Sequence, residues 1–394
     1  MKAIFQPSTP HGEVAAPPSK SMAHRYMICA ALSNSSLVSG IAESEDIKAT
    51  ANCLKALGSR VDFEGDSVTL GGLKPSGKAV LDCNESGSTL RFLLPIALLS
   101  DSEITLTGSK RLMERGVGLY GEMCEKHGLF FEKNEKGITV KGPLKAGKYT
   151  INGGLSSQYF SGMLFALSTL PEDSTLKVEG LLQSRPYVEM TIKALADFGI
   201  MIKRIPGGFF IPGGQKFLDK NVTVEGDWSN AAFLSALSDK VVVTGLDPDS
   251  FQGDKLYPQL FKNTGSYQID LSNTPDLGPV LFAIAALKGG GDFVGTRRLH
   301  IKESDRAEAM KIELRKFGIT TVIYDDRVVI SGKLHPPTDR LFGHNDHRIV
   351  MALSVLASRV GGVIEGVRAV NKSFPDFFEI LKKLNVKVNL IETE

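Results

Sequence analysis

Apolar positions along the chain sort its helical stretches into two alternating kinds. One kind is apolar nearly all round: "HRYMICAALS", "STLRFLLPIALLS", "QYFSGMLFALSTL", "NAAFLSALSD", "GPVLFAIAALKG" and "HRIVMALSVLAS". A helix with no polar face has no side to turn to water, so these are predicted to be buried. The other kind carries Lys and Glu on one face and closes on L-x-x-L-G or a near variant, as in "CLKALG", "ALADFG" and "LRKFG". These are predicted to be exposed helices ending at Gly58, Gly128, Gly199, Gly265, Gly318 and Asn385. Glycine and asparagine are the residues that tolerate the left-handed conformation after a helix. A strand-like run, a turn and a second strand-like run follow, for instance "RVDFEGDSVTLGG".

The two kinds recur in phase, mostly about 70 residues apart with one shorter unit, which marks an internal repeat. Each unit reads β-α-β-α-β-β, with a buried helix, a surface helix and a closing hairpin. The chain's 394 residues suggest about two domains. The predicted fold class is therefore α/β, with two domains of three units, sheets outside and parallel buried helices within.

If rotation relates the units, the buried helices of a domain present their N-termini on one face. The segments there are "PSKSMAHR", "NESGSTLR", "LSSQY", "GDWSN", "TPDLGP" and "NDHR". Their Ser, Thr, Asn and Asp suit capping. Lys20, Arg25, Arg91 and Arg348 do not, because a helix N-terminus is already partly positive and a cation beside it needs a counter-anion. Singly, each reads as solvated surface charge. Pooled on one face, they predict an anion site. Lys302, Glu303 and Arg306 cluster where a helix starts at Ser304 or Asp305, and Glu303 is a candidate general acid or base. Arg115, in a loop, and Lys372, before Phe374 and Pro375, fall in the same phase of their units.

Charge narrows the partners. Forty-six basic against 44 acidic residues, a net charge of +2, argue against a general nucleic-acid or membrane-surface binder. Cys29, Cys53, Cys83 and Cys124 form no C-x-x-C pair and read as small buried residues in a reducing compartment. His344 and His347 lack a third ligand at zinc spacing, so no metal is expected. "GGLKPSGKAV" resembles a phosphate loop, but Ala79 replaces the magnesium-binding hydroxyl and "AVLDC" reads as a strand, so no nucleotide loop is expected. With no apolar signal core and no apolar run of about 18 residues, the expected location is cytoplasmic.

In order along the chain, "PPSKSMAHR", "ESGSTLR", "SSQ", "SRPY", "TPD", "KESDR", "NDHR" and "NKSFPDFF" resemble the signatures of the 5-enolpyruvylshikimate-3-phosphate synthase family. The resemblance spans residues 16 to 380. It implies an inside-out α/β barrel of two domains with the active site in the cleft between them. The implied boundaries are 1–19 plus 227–394 for one domain and 20–226 for the other. The two crossings imply a hinge, and substrate is expected to compact the molecule. The implied reaction moves the enolpyruvyl group of phosphoenolpyruvate onto the 5-hydroxyl of shikimate 3-phosphate, in the shikimate pathway to chorismate and aromatic amino acids. No cofactor and no metal are implied, nor any nucleic-acid or membrane partner, and a monomer is expected.

Position by position, the resemblance assigns phosphoenolpyruvate to Lys20, Gly87, Arg115, Gln158, Arg306, Arg348 and Lys372. Shikimate 3-phosphate goes to Lys20, Ser21, Arg25, Ser156, Ser157, Gln158, Ser184, Tyr187, Asp276 and Lys302. Asp276 is expected to orient and deprotonate the hydroxyl, and Glu303, assisted by Lys20, to handle the proton at the methylene carbon. Departures from the family pattern are Asn84 and Glu85 in place of Gly and Asn, Gly116 in place of Pro, and Arg298 in place of Asn. The rival readings are the transferase acting on UDP-N-acetylglucosamine, a nucleic-acid-end-processing relative and a binding-only relative. The first lacks its loop cysteine here, and the second its charge and histidine motif. The third is opposed by the full set of cations and carboxylates.

Overall fold

The computed structural model describes residues 1–115 and 117–392; Gly116 lies outside the described residues. The chain divides into two compact units, Met1–Pro17 together with the chain from Glu225 onward, and Pro18–Val224. Each has its own apolar core. Among the described residues no helix is long and apolar enough to cross a membrane.

The Pro18–Val224 unit holds three four-stranded sheets built to one plan. Asn221–Thr223, Ser36–Ser39, Ser67–Gly71 and Arg60–Glu64 form the first, Ala79–Asp82, Ile104–Thr107, Gly137–Lys141 and Phe130–Asn134 the second, and Lys148–Asn152, Ser174–Glu179, Gly208–Ile211 and Lys203–Ile205 the third. In every case the first pair is parallel and the others antiparallel. Register places Val38 opposite Val68. Alternate residues thus reach the core, where both valines are fully buried.

The helices Lys20–Leu32, Gly87–Ala97 and Ser157–Leu167 are the apolar ones and are almost wholly buried. Phe92 and Phe165 meet edge to face at 5.6 Å, and Gln158 Nε2 donates to Ser88 Oγ at 3.0 Å. Contacts at matching turns mean that the last two helices run parallel with adjacent N-termini. Burying each such aromatic side chain stabilises the unit by roughly 1.5–3 kcal/mol.

The other unit repeats the plan with one reduction. Gln268–Asp270, Gly290–Val294, Arg327–Gly332 and Ile319–Ile323 make one sheet. Leu341–Phe342, Gly362–Glu365, Lys2–Phe5 and Val388–Ile391 make another, so the N-terminal strand supplies the third position of the last unit. The remaining unit keeps a two-stranded parallel sheet, Gly12–Ala15 with Val241–Thr244. The expectation that every unit follows the full β-α-β-α-β-β plan is thus corrected at one of them, and the sheets stay separate pieces. Buried helices here are Trp228–Ser235, Gly278–Lys288 and His347–Val360.

Helix ends follow the sequence closely. Gly58, Gly128, Gly199, Gly265, Gly318 and Asn385 have φ of 94°, 66°, 80°, 89°, 80° and 63°. Ser19, Ser86, Ser156, Asp227, Asp305 and Asp346 each accept a backbone N–H at a helix start. The Gly278–Lys288 helix has no side-chain cap and is entered instead through a 3-10 turn, Pro275–Leu277.

Candidate active site

In the Pro18–Val224 unit, Lys20 is the first residue of its helix, and its Nζ donates to Asp46 Oδ2 at 2.6 Å. Asp46 sits in the first turn of the Glu45–Ala56 helix, where the dipole favours a carboxylate. Hydroxyls join these helices to the next: His24 Nδ1 lies 2.8 Å from Thr50 Oγ1, and Thr50 Oγ1 2.6 Å from Thr89 Oγ1. Burial, followed by Lys20 and Arg25, holds the His24 pKa well below its usual value, so the imidazole is neutral.

Arg25 is buried beneath this surface. Its Nε donates to Thr191 Oγ1 at 2.8 Å, Nη1 to Ser21 O at 2.6 Å and Nη2 to Tyr187 O at 2.9 Å. Burial pulls its pKa down to about 10, which still leaves it charged at neutral pH. Ser184, fully buried with φ 51°, stands before the Arg185–Asp197 helix that carries Tyr187. Ser157 opens the helix that Ser156 caps.

Arg91 is the member of this cluster that the residue assignment omitted. Its Nη1 donates to Gln158 Oε1 at 2.8 Å, so Gln158 joins two helix starts through Arg91 and Ser88. Pro95 has no N–H to give to Arg91 O, and the Tyr120 hydroxyl donates to that carbonyl instead, at 2.8 Å. A Cβ on Gly87 would lie 2.7 Å from Arg91 Nη1 and 3.1 Å from Arg115 Nη2. Only a glycine lets two guanidiniums approach the backbone this closely at a helix N-terminus. Arg115 closes the short Lys110–Glu114 helix, where a loop was expected.

In the other unit, Asp276 stands in the 3-10 turn before the Gly278–Lys288 helix. Its Oδ1 accepts from Arg306 Nη1 at 2.8 Å and Lys302 Nζ at 3.0 Å, and its Oδ2 from Arg348 Nη2 at 3.3 Å. Arg306, only 1% exposed, also donates to Glu303 Oε2 at 2.6 Å and to Asp346 Oδ2 at 2.9 Å. Asp346 caps the His347–Val360 helix through Arg348 N, at 2.9 Å. Lys372 Nζ donates to Asn345 O at 2.5 Å. Three cations thus meet three carboxylates, and Lys372 places a further cation on the backbone of the turn before the His347–Val360 helix.

Burial alone would raise the Asp276 pKa, yet Arg348, Lys302 and Arg306 outweigh it and hold the carboxyl well below its usual value. Arg306 is likewise pulled down by burial and then raised further by Asp346, Glu303 and Asp276. Lys302 is pushed down to about 8, chiefly by burial, with Arg306 and Arg298 adding to the fall and Asp276 opposing it. Asp254 is raised to about 7 by burial and by the Asp276 charge. Its Oδ2 accepts from Ser229 Oγ, and its buried Oδ1 has no hydrogen-bond partner.

The sequence-derived residues therefore gather into two clusters. Lys20, Ser21, Arg25, Gly87, Arg115, Ser156, Ser157, Gln158, Ser184 and Tyr187 lie in one unit, and Asp276, Lys302, Glu303, Arg306, Arg348 and Lys372 in the other. Asp46 and Asp254 escaped the sequence reading. Asp46 left a weak trace, an acidic first turn in "ESEDIK". Asp346 was legible only as a helix cap.

Repeated β-α-β-α-β-β units, with cations and carboxylates gathered at helix starts, define a two-unit anion-handling α/β enzyme class. The family model described as EPSP synthase (3-phosphoshikimate 1-carboxyvinyltransferase) matches residues 5–381. A Clostridium perfringens protein named 3-phosphoshikimate 1-carboxyvinyltransferase is 37% identical over 416 aligned positions, covering 98% of this chain and 98% of that protein. One of the same name from Clostridium acetobutylicum is 38% identical, covering 96% of each. EPSP synthase from Acinetobacter baumannii shares the fold, with TM-score 0.79 and 23% identity over 99% of this chain and 100% of that one. The chain belongs to the EPSP synthase family.

Proposed function

We propose that the chain transfers the enolpyruvyl group of phosphoenolpyruvate to the 5-hydroxyl of shikimate 3-phosphate and releases inorganic phosphate. The observation that carries this reading is the Asp276 carboxylate held by Lys302, Arg306 and Arg348, with Glu303 on the same arginine. Two polyanions repel each other, and fixed, partly desolvated cations offset that repulsion without reorganising during the reaction.

Addition forms a bond from the hydroxyl oxygen to the central carbon of phosphoenolpyruvate, while the hydroxyl loses a proton and the methylene carbon gains one. Elimination then breaks the bond to phosphate and takes a proton back from that carbon. Asp276 accepts the hydrogen bond that aims the hydroxyl. Its depressed pKa makes it a weak base while its cations are unopposed. Substrate anions beside those cations raise its basicity, so deprotonation is coupled to occupancy. Glu303, tied to Arg306, moves the proton at the methylene carbon, assisted by Lys20. Arg91, Arg115 and the Gly87 backbone receive the phosphoenolpyruvate anion, together with Lys20, Gln158, Arg306, Arg348 and Lys372. Shikimate 3-phosphate rests on Lys20, Ser21, Arg25, Ser156, Ser157, Gln158, Ser184, Tyr187 and Lys302.

Phosphate release assayed with both substrates, and with each alone, tests the reading. Release that requires both supports it. Equal release from phosphoenolpyruvate alone, or none with both, rejects it.

A further inference from the structure

The Arg306–Lys316 helix touches the turn before the His347–Val360 helix at two places on one face. Arg306 holds Asp346 at one end. Two turns later Glu313, fully buried, accepts from Phe342 N at 3.0 Å and Lys316 Nζ at 2.8 Å through Oε2, while its Oε1 lies 2.8 Å from His344 Nε2. Burial pushes the Glu313 pKa up, but His344, Lys316 and the Phe342 N–H together bring it below its usual value, so it is a carboxylate. No proton-transfer step uses Glu313, and its place in the molecule needs another reason.

His344 and Asn345 supply that reason. Both are left-handed, with φ of 49° and 52°, in immediate succession. Two such residues that are not glycine persist only where surrounding contacts over-determine them. Directly after them Asp346 caps its helix and holds Arg306, while Asn345 O receives the Lys372 ammonium. We propose that Glu313 and His344 are positioning residues, a partly buried tie that holds this strained turn so that Asp346, Arg348 and Lys372 keep their places for the phosphoenolpyruvate anion. The inference rests on the enolpyruvyl-transfer reading for what the positioned groups bind.

Variants His344→Ala and His344→Gly separate the tie from mere stability. Alanine loses the tie and keeps the left-handed strain; glycine loses both. His344→Ala should raise KM for phosphoenolpyruvate about tenfold, ~1.4 kcal/mol, with KM for shikimate 3-phosphate within about twofold. His344→Gly should raise it only about threefold, because glycine adopts the turn unaided. Amide exchange at Asp346–Arg348, which needs no turnover, should quicken in the same order. Glu313→Gln, which keeps the shape and weakens the tie, should shift both readouts in the alanine direction by a smaller factor. Unchanged exchange and KM in His344→Ala, equal rises in both KM values, or a glycine variant worse than the alanine one would overturn the proposal. Failure of the enolpyruvyl-transfer reading shows separately, as no phosphate release from the unaltered chain.

Discussion

The two units share a repeat and differ in what they place at its helix starts. Around Gly87 the polar groups are guanidiniums, hydroxyls and an amide, and the acid paired with Lys20 comes from a neighbouring helix. Around Asp276 cations and carboxylates alternate, and three acids share Arg306. The first arrangement presents mainly donors to an anion. The second has both charge and proton-exchanging groups. On the proposed reading one scaffold supplies a half that chiefly binds and a half that carries the carboxylates, because the helix dipole favours anions in either and only the side chains distinguish them.

Removing the central acid should break that contrast most strongly. Asp276→Asn leaves three cations without their shared carboxylate and the hydroxyl without its acceptor. Turnover in phosphate release should fall on the order of a thousandfold, within the usual range for loss of a general base. A fall below tenfold would place the proton chemistry elsewhere.

Next in size is an effect of pH on stability. Asp254 has its folded pKa raised to about 7. The folded state therefore holds the proton that the unfolded state has lost, and stability falls as pH rises from about 4 to about 7, then levels. Asp276, held low, acts in the opposite sense, its contribution fading only in acid as its carboxylate is protonated. Asp254→Asn should flatten the first slope by an amount on the order of 1–2 kcal/mol between pH 5 and 8 in urea unfolding. An unaltered slope would remove Asp254 from the account.

The smallest change belongs to the binding half. On the proposed assignment of Lys20 to substrate, Asp46 competes for its ammonium, both side chains being largely buried. Asp46→Asn should lower KM for phosphoenolpyruvate about threefold, in keeping with a partly screened ion pair. A rise would mean that Asp46 chiefly aims Lys20.

What the sequence revealed was what local physics writes into it. A left-handed residue after a helix demands Gly or Asn, so Gly58 through Asn385 marked the units before any contact was known. Caps such as Ser86, Asp305 and Asp346 were legible for the same reason. Partners far apart in the chain left no such mark. Lys20 meets Asp46, Arg91 meets Gln158, and Glu313 meets His344 only through tertiary packing. The family resemblance named Asp276 and Glu303 without showing that one arginine holds both. The reduced unit containing Gly12–Ala15 showed in the sequence only as a shorter spacing, because its helices keep the periodic pattern while its sheet loses two strands.

The division of labour is tested most directly by phosphate release over a phosphoenolpyruvate titration, with Gly87→Ala and Glu303→Gln measured side by side. The added Cβ, 2.7 Å from Arg91 Nη1, must displace a guanidinium, so Gly87→Ala should raise KM at least about tenfold and change kcat less. Glu303→Gln should lower kcat about a hundredfold or more while KM stays within a few-fold. If both variants move the same parameter by similar factors, the two halves do not divide the work.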